Sequence, residues 1–250
     1  MGFVLTLRYW QISSPMVEYI AKCILIFEHA RTVGGKIVKK NFGRFESIFN
    51  VCYLALAVIV GCVLIGRSDV SQPSLLAGMM PLTLGLGDAF HLVPRVLSSV
   101  MRTDMHAALG FGKLVTSITM TVFYVLLWII GLLYYHVYHP VWTVLFLVLT
   151  IIRLVLCLLP QNEWLHAHPP VRMGILRNIP FFIMGIMVVV LFWANALPGS
   201  PLEHMGIAVL LSFAFYAPVV CAAHRYPKIG MLMAPKTCMY IWVLWMCLSL

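Results

Sequence analysis

Charged residues are scarce in this 250-residue sequence, at 10% of the chain against 62% hydrophobic residues. A soluble domain carries roughly a quarter charged residues, so this chain has too few to cover a surface that faces water. Acidic residues are the scarcest, with 8 Asp and Glu against 17 Lys and Arg. The composition excludes an ordinary soluble domain and indicates that lipid surrounds most of the folded chain.

Motifs for several other functions are missing as well. The 7 cysteines are scattered without a Cys-x-x-Cys pair, so the sequence predicts neither a disulfide framework nor a metal site. No His-x-x-x-His pair falls in an apolar segment, which leaves an intramembrane zinc enzyme poorly supported, and we predict no cofactor. The basic residues lie between apolar segments and form no motif that reads nucleic acid. Membrane lipids are therefore the predicted partners, and nucleic acid is not.

Seven apolar segments are long enough to cross the hydrocarbon core, which needs about 20 mainly apolar residues. We predict an all-α polytopic membrane bundle over 49–250, preceded by an amphipathic, interfacial segment over 1–48. The sequence leaves the oligomeric state open. The predicted spans are 49–66, 75–95, 113–135, 141–158, 175–194, 204–223 and 229–249.

Basic residues divide unequally between the two sides of the predicted bundle. Of the 17 Lys and Arg, Arg67 alone lies in a loop on one side and Lys236 lies within a span, while all the others fall on the opposite side. Cytoplasmic loops carry the excess of Lys and Arg in membrane proteins. We therefore predict an integral protein of the plasma membrane with its N-terminus inside and its C-terminus outside.

Charged residues within the spans concentrate toward the predicted cytoplasmic end. Asp88, His91 and Arg95 are spaced i, i+3, i+7 and share one helix face. Asp88 lies about 10 Å from the interface at Arg95, and Lys236 of the last span lies at nearly the same depth. Because an ionisable side chain that faces lipid is costly, we expect Asp88 and Lys236 to face the interior and to pair directly or through one water.

Further polar side chains fall at the same level of neighbouring spans. Where their faces converge, they would enclose a cytoplasmic cavity that suits a lysolipid, whose tail can stay between the helices. In this interpretation Asp88 and His91 are general base and acid, and Lys236 favours the charged form of Asp88. The predicted substrate-binding residues are Arg95, Lys113, Ser117, Thr121, Tyr124, Arg177, Asn178 and Tyr216.

Arginines at span ends more often anchor a helix among lipid head groups than bind a ligand. This second interpretation applies to Arg95, Arg153, Arg177 and Arg225.

Three segments resemble the lysoplasmalogenase-like (YhhN / transmembrane protein 86) family of multi-span membrane proteins. "LTLGLGDAFHLV" is similar to the Gly-Asp segment of that family, and "ALGFGKLVTSITMTVFY" is similar to the Gly-rich start of its next helix. "IGMLMAPKTCMY" resembles its closing segment. The resemblance implies hydrolysis of lysoplasmalogen vinyl ethers by two intramembrane aspartates. Of these only Asp88 carries over, because Lys236 stands in place of the second acid and Thr121 in place of a histidine.

Two other classes of function stay open at this point. A non-catalytic carrier or permeation protein would use the same cavity to move a small anionic or amphipathic solute, and a structural scaffold would use none of it. A lysine in the last span is also found in retinal proteins, but the third span here carries no carboxylate to serve as a counter-ion. The hydrolase is our leading hypothesis, and the carrier is its main rival.

Overall fold

The computed structural model describes residues 37–67, 72–101, 104–167 and 169–250, so most of the predicted interfacial segment 1–48 lies outside the described residues. The chain divides into two compact units between Phe42 and Gly43, and the second unit runs from Gly43 to Leu250. The described parts contain no strand. Their helices are α1 (Ile37–Arg67), α2 (Gln72–Met101), α3 (His106–Tyr135), α4 (Pro140–Leu158), α5 (Val171–Ala194), α6 (Met205–Ala222) and α7 (Met233–Cys247), with 3₁₀ turns at Pro160–Asn162 and Pro227–Leu232.

All seven helices are long and apolar enough to cross a membrane, α7 together with the 3₁₀ turn before it. This confirms the predicted all-α bundle of seven spans, and each predicted span overlaps one helix. The spans of the structure are Glu46–Arg67, Leu75–Ser98, His106–Tyr135, Pro140–Leu158, Val171–Ala194, Met205–Ala222 and Lys228–Cys247.

The third helix begins at His106 rather than at the predicted residue 113. The added turns hold Gly110 and Gly112, where the chain passes close to other backbone. A Cβ at Gly112 would collide with the carbonyl of Phe90 in α2, and one at Gly110 would collide with the carbonyl of Trp164. Glycine therefore serves close helix packing at these positions and not a loop.

Apolar side chains form most of the core of the bundle and most of its exposed surface. Tyr124 of α3 is fully buried, with Phe181 and Phe213 rings 4.9 and 5.4 Å from its own ring centroid. Helix α4 exposes most of its side chains and buries one stripe only. In a membrane these exposed faces contact lipid. The buried stripe of α4 consists of Phe146, Leu149, Thr150, Arg153 and Cys157.

One end of the bundle, which we call the basic end, holds Glu46 at the start of the first span, the starts of α3, α5 and α7, and the ends of α2, α4 and α6. Short connections between consecutive helices produce this arrangement. The ion pair of Arg95 with Glu46, at 2.6 Å, joins the end of α2 to the start of α1 there. The other basic residues near this end are Lys113, Arg172, Arg177, Arg225 and Lys228.

Candidate polar site in the basic half of the bundle

Asp88 lies on α2 and faces α1. The hydroxyl of Tyr53, itself only 2% exposed, donates a hydrogen bond of 2.8 Å to Oδ2 of Asp88. The other carboxylate oxygen, Oδ1, has no hydrogen-bond donor among the described residues. The carboxylate is thus fixed through one oxygen and free to accept a proton through the other.

Lys236 lies near the start of α7 and is 8% exposed. Its ammonium nitrogen lies 4.3 Å from the ring centroid of Tyr216 and 5.0 Å from that of Tyr240, within the range of cation–π attraction. It makes no hydrogen bond or ion pair within the described part of the chain, yet its nitrogen keeps some accessible surface. The ammonium group thus rests on aromatic faces and borders accessible space.

We expected Asp88 and Lys236 to pair directly or through one water, and the direct ion pair is not formed. The ion pairs among the described residues are those of Arg95 with Glu46, His106 with Asp104 and His166 with Glu163. Tyr53 holds the carboxylate toward α1 and the two tyrosine rings hold the ammonium, which accounts for the gap. The two charges still attract each other, so a link through water stays a prediction.

Arg153 on α4 is one of the polar side chains that the sequence places at the level of the site, although its position at a span end favoured an interface anchor. The structure buries this side chain, which is 2% exposed. Its Nε donates a hydrogen bond of 2.8 Å to Thr121 Oγ1, and its guanidinium carbon lies 3.6 Å from the ring centroid of Phe181. Its Nη1 donates weaker bonds of 3.3 Å to the carbonyl of Arg177 and 3.5 Å to Asn178 Oδ1.

The helical spacing of α4 explains this burial. Arg153 falls on the same stripe as Leu149, Thr150 and Cys157, at intervals of three and four residues, so it turns toward α3 and α5. This stripe was readable in the sequence. The position of Arg153 near a span end favoured an interface anchor instead, because sequence alone does not show which face of a helix meets lipid.

Tyr216 and Asn178 connect the surroundings of Lys236 with those of Arg153. The hydroxyl of Tyr216 donates 3.1 Å to Asn178 Oδ1, the same oxygen that Arg153 reaches. The amide nitrogen of Asn178 is occupied by a bond of 2.7 Å to the carbonyl of Gly174. Lys236 and Arg153 are therefore linked through Tyr216 and Asn178.

Arg177 points away from this centre toward the connection between α4 and α5. Its Nη1 donates 2.8 Å to Asn162 Oδ1, and its guanidinium carbon lies 3.9 Å from the ring centroid of Trp164. The side chain thus holds the connection in place.

His91 forms no hydrogen bond or ion pair with Asp88, although the two described residues share a helix face. Its Nδ1 is buried without a hydrogen-bond partner, and the charges of Arg95 and Lys113 lie nearby. The predicted base and acid are thus not directly bonded to each other.

The remaining predicted substrate-binding residues lie outside the centre of the site. Arg95 is paired with Glu46, and Lys113 is exposed. The hydroxyl of Ser117 donates 2.7 Å to the carbonyl of Lys113 in its own helix, and Tyr124 lies in the aromatic core. Of the predicted set, the structure brings together Lys236, Tyr216, Asn178 and Thr121, with Asp88 beside them.

The site contains more positive than negative charge. Asp88 is the only carboxylate in it among the described residues, against the buried cations Lys236 and Arg153. Within the described ranges no group of three or more His, Cys, Asp or Glu side chains is placed to hold a metal ion. The arrangement can bind an anionic group and move a proton at one carboxylate oxygen.

The architecture is that of an integral membrane protein with seven α-helical spans. No family model, no curated protein and no solved structure matches the chain.

Proposed function

We propose that the protein hydrolyses a lipid or lysolipid by acid–base chemistry at Asp88, in the half of the bundle that faces the cytoplasm. The observation that carries the proposal is the carboxylate of Asp88, held by Tyr53 at 2.8 Å through one oxygen and without a donor from the described residues on the other. An ionisable residue within a span is costly and marks a functional site by default. Oδ1 then accepts the proton of the attacking water.

Lys236 supplies the positive charge that this chemistry needs. Its ammonium group is near Asp88 but not bonded to it, so it remains available for negative charge that develops on the substrate. In the lysoplasmalogenase-like family that the sequence resembles, a second acid would stand here. The proposed mechanism therefore pairs one carboxylate with one ammonium and does not share a proton between two carboxylates.

His91 is proposed as the second proton-handling group, acting through a water molecule. A buried nitrogen without a partner, such as its Nδ1, is usually satisfied by ordered water. One bridging water would also connect it to the neighbouring turn, where Asp88 lies.

A lysolipid suits this site in charge and in its division into an apolar tail and a polar head group. Its tail can lie between apolar helix faces while its head group reaches the buried cations. The excess of Lys and Arg at the basic end supports the orientation in which this half of the bundle lies toward the cytoplasm of the plasma membrane.

The test replaces Asp88 by Asn, which keeps the shape of the side chain and removes its basicity. Purified protein is incubated with lysolipids, including vinyl-ether forms, and released aldehyde, fatty acid and head group are measured. We expect turnover to fall by about 10²–10⁴-fold while lipid binding is kept. Asp104→Asn is the matched control, because Asp104 has a 73% exposed side chain outside the spans. Equal turnover in Asp88→Asn and wild-type protein would refute the proposal.

A carrier for a small anionic or amphipathic solute is the second candidate, and the excess of buried positive charge favours it. Arg153 and Lys236 suit an anion whether or not it is cleaved. If the wild-type protein releases no product from the lysolipid panel but takes up an anionic solute into vesicles in an Asp88-dependent manner, the carrier replaces the hydrolase.

A further inference from the structure

Arg153 and Lys236 are both at least nine-tenths buried, at 2% and 8% exposure, and neither has a carboxylate partner in the described part of the chain. Buried charges are normally paired, because an unpaired charge is costly to remove from water into an apolar medium. Neutral acceptors and aromatic rings compensate for only part of the hydration that these two cations lose on burial. The pairing that is missing would come from a bound anion.

Each cation has unused donors that border accessible space. Nε of Arg153 donates to Thr121 and Nη1 donates to Arg177 and Asn178, whereas Nη2 bonds to no described residue and keeps some accessible surface. The three donors of the Lys236 ammonium are likewise unused. The unused donors belong to two different helices, α4 and α7.

The surrounding side chains fix both cations in place. Phe181 and Thr121 hold the guanidinium of Arg153, and the rings of Tyr216 and Tyr240 hold Lys236. Tyr216 spans the distance between them, because its ring contacts Lys236 while its hydroxyl bonds Asn178 beside Arg153. Two cations that repel each other are thus held as neighbours of the same tyrosine.

We infer that Arg153 and Lys236 form a binding site for a phosphate group, carried by the head group of a lipid or by a free phosphate. Several convergent donors on two cations match the three acceptor oxygens of a phosphate, and the planar guanidinium suits it in particular. The inference deepens the proposed function by naming the head group, and it assigns Arg153 a role that its sequence position did not suggest. Binding itself needs no hydrolysis.

The test compares two lipids with the same acyl chain, lysophosphatidic acid and the corresponding monoacylglycerol, and adds inorganic phosphate as a third probe. Affinities are measured on the full-length protein in neutral detergent and, in parallel, on the Asp88→Asn protein, which should not consume the lipid. We expect the phosphate-bearing lipid to bind about 10- to 100-fold more tightly than the monoacylglycerol. A failure of turnover in every assay would end the hydrolase proposal and leave this comparison intact.

Arg153→Gln and Lys236→Gln should each remove most of this preference. Arg172→Gln is the matched control, because Arg172 is an exposed arginine near the same end of the bundle, and it should leave the preference unchanged. Arg153→Lys keeps the charge but loses the planar fork, so it should retain part of the preference. Competition by inorganic phosphate that depends on Arg153 would identify a free anion as a ligand, and its absence would identify the lipid.

Equal affinity of the wild-type protein for the two lipids would overturn the inference, and this comparison requires no variant to fold. An equal loss of preference in Arg172→Gln would overturn it too, because general attraction to the basic end would then explain the result.

Discussion

Tyr53 gives the carboxylate of Asp88 its orientation, since the two side chains come from different helices and meet through one bond of 2.8 Å. Tyr53→Phe removes the hydroxyl and keeps the ring. A hydrogen bond to a charged group is worth about 1.5–3 kcal/mol, so we expect turnover of lysolipid to fall by about 10- to 100-fold with lipid affinity little changed. Tyr138→Phe, at a residue 85% exposed, is the control. Unchanged turnover in Tyr53→Phe would show that this bond does not position the base.

Substitutions at Thr121 and Arg153 test how the bundle tolerates a buried cation. Thr121→Val strands the Nε of Arg153 and should lower the free energy of unfolding by about 1–3 kcal/mol. Arg153→Met fills a similar volume without a charge, and replacement of a buried ion by an apolar residue is often close to neutral. In the Arg153→Met background, Thr121→Val should therefore cost much less, as measured by a double-mutant cycle of denaturation. Additive effects would mean that the two side chains are not coupled.

Helices α2 and α3 approach each other closely through the glycine-rich start of α3. Gly112→Ala places a methyl group against the carbonyl of Phe90, which must move for the two helices to remain packed. We expect a loss of about 1–3 kcal/mol in unfolding free energy, measured by thermal or detergent denaturation. Gly174→Ala is the control within a helix, because only the Arg177 side chain comes as near as 4.0 Å, and it should be neutral or slightly stabilising. Equal effects of the two changes would contradict the close approach.

The helices were predictable from the sequence because length and hydrophobicity alone decide whether a segment can cross a membrane. The first turns of α3 were not predictable, because glycines such as Gly110 and Gly112 occur both in loops and where helices pack closely. The site was predictable only in part. Asp88 and Lys236 were readable as costly charges within spans, whereas the burial of Arg153 depends on how α4 is rotated against α3 and α5. Rotation follows from side-chain packing between helices, which the pattern within a single apolar segment does not show.

At the scale of the whole molecule, the basic end determines the proposed orientation in the membrane. A tag after Leu250 should be reachable only from outside the cell, and a tag at the N-terminus only from inside, because positively charged loops are retained in the cytoplasm. Protease or cysteine-labelling accessibility in intact cells measures this. The opposite accessibility would mean that the polar site lies toward the outer leaflet, and it would contradict the proposal of a lysolipid from the cytoplasmic leaflet.

The most direct test of the proposed hydrolysis follows the oxygen of water into the product. Purified wild-type and Asp88→Asn proteins are reconstituted in vesicles that contain a lysolipid, in water enriched in ¹⁸O, and the released products are analysed by mass spectrometry. We predict that the wild-type protein releases ¹⁸O-labelled product and that Asp88→Asn, with the same amount of bound lipid, releases at least about 100-fold less. Release of no labelled product by the wild-type protein, or equal release by both proteins, would contradict hydrolysis at Asp88.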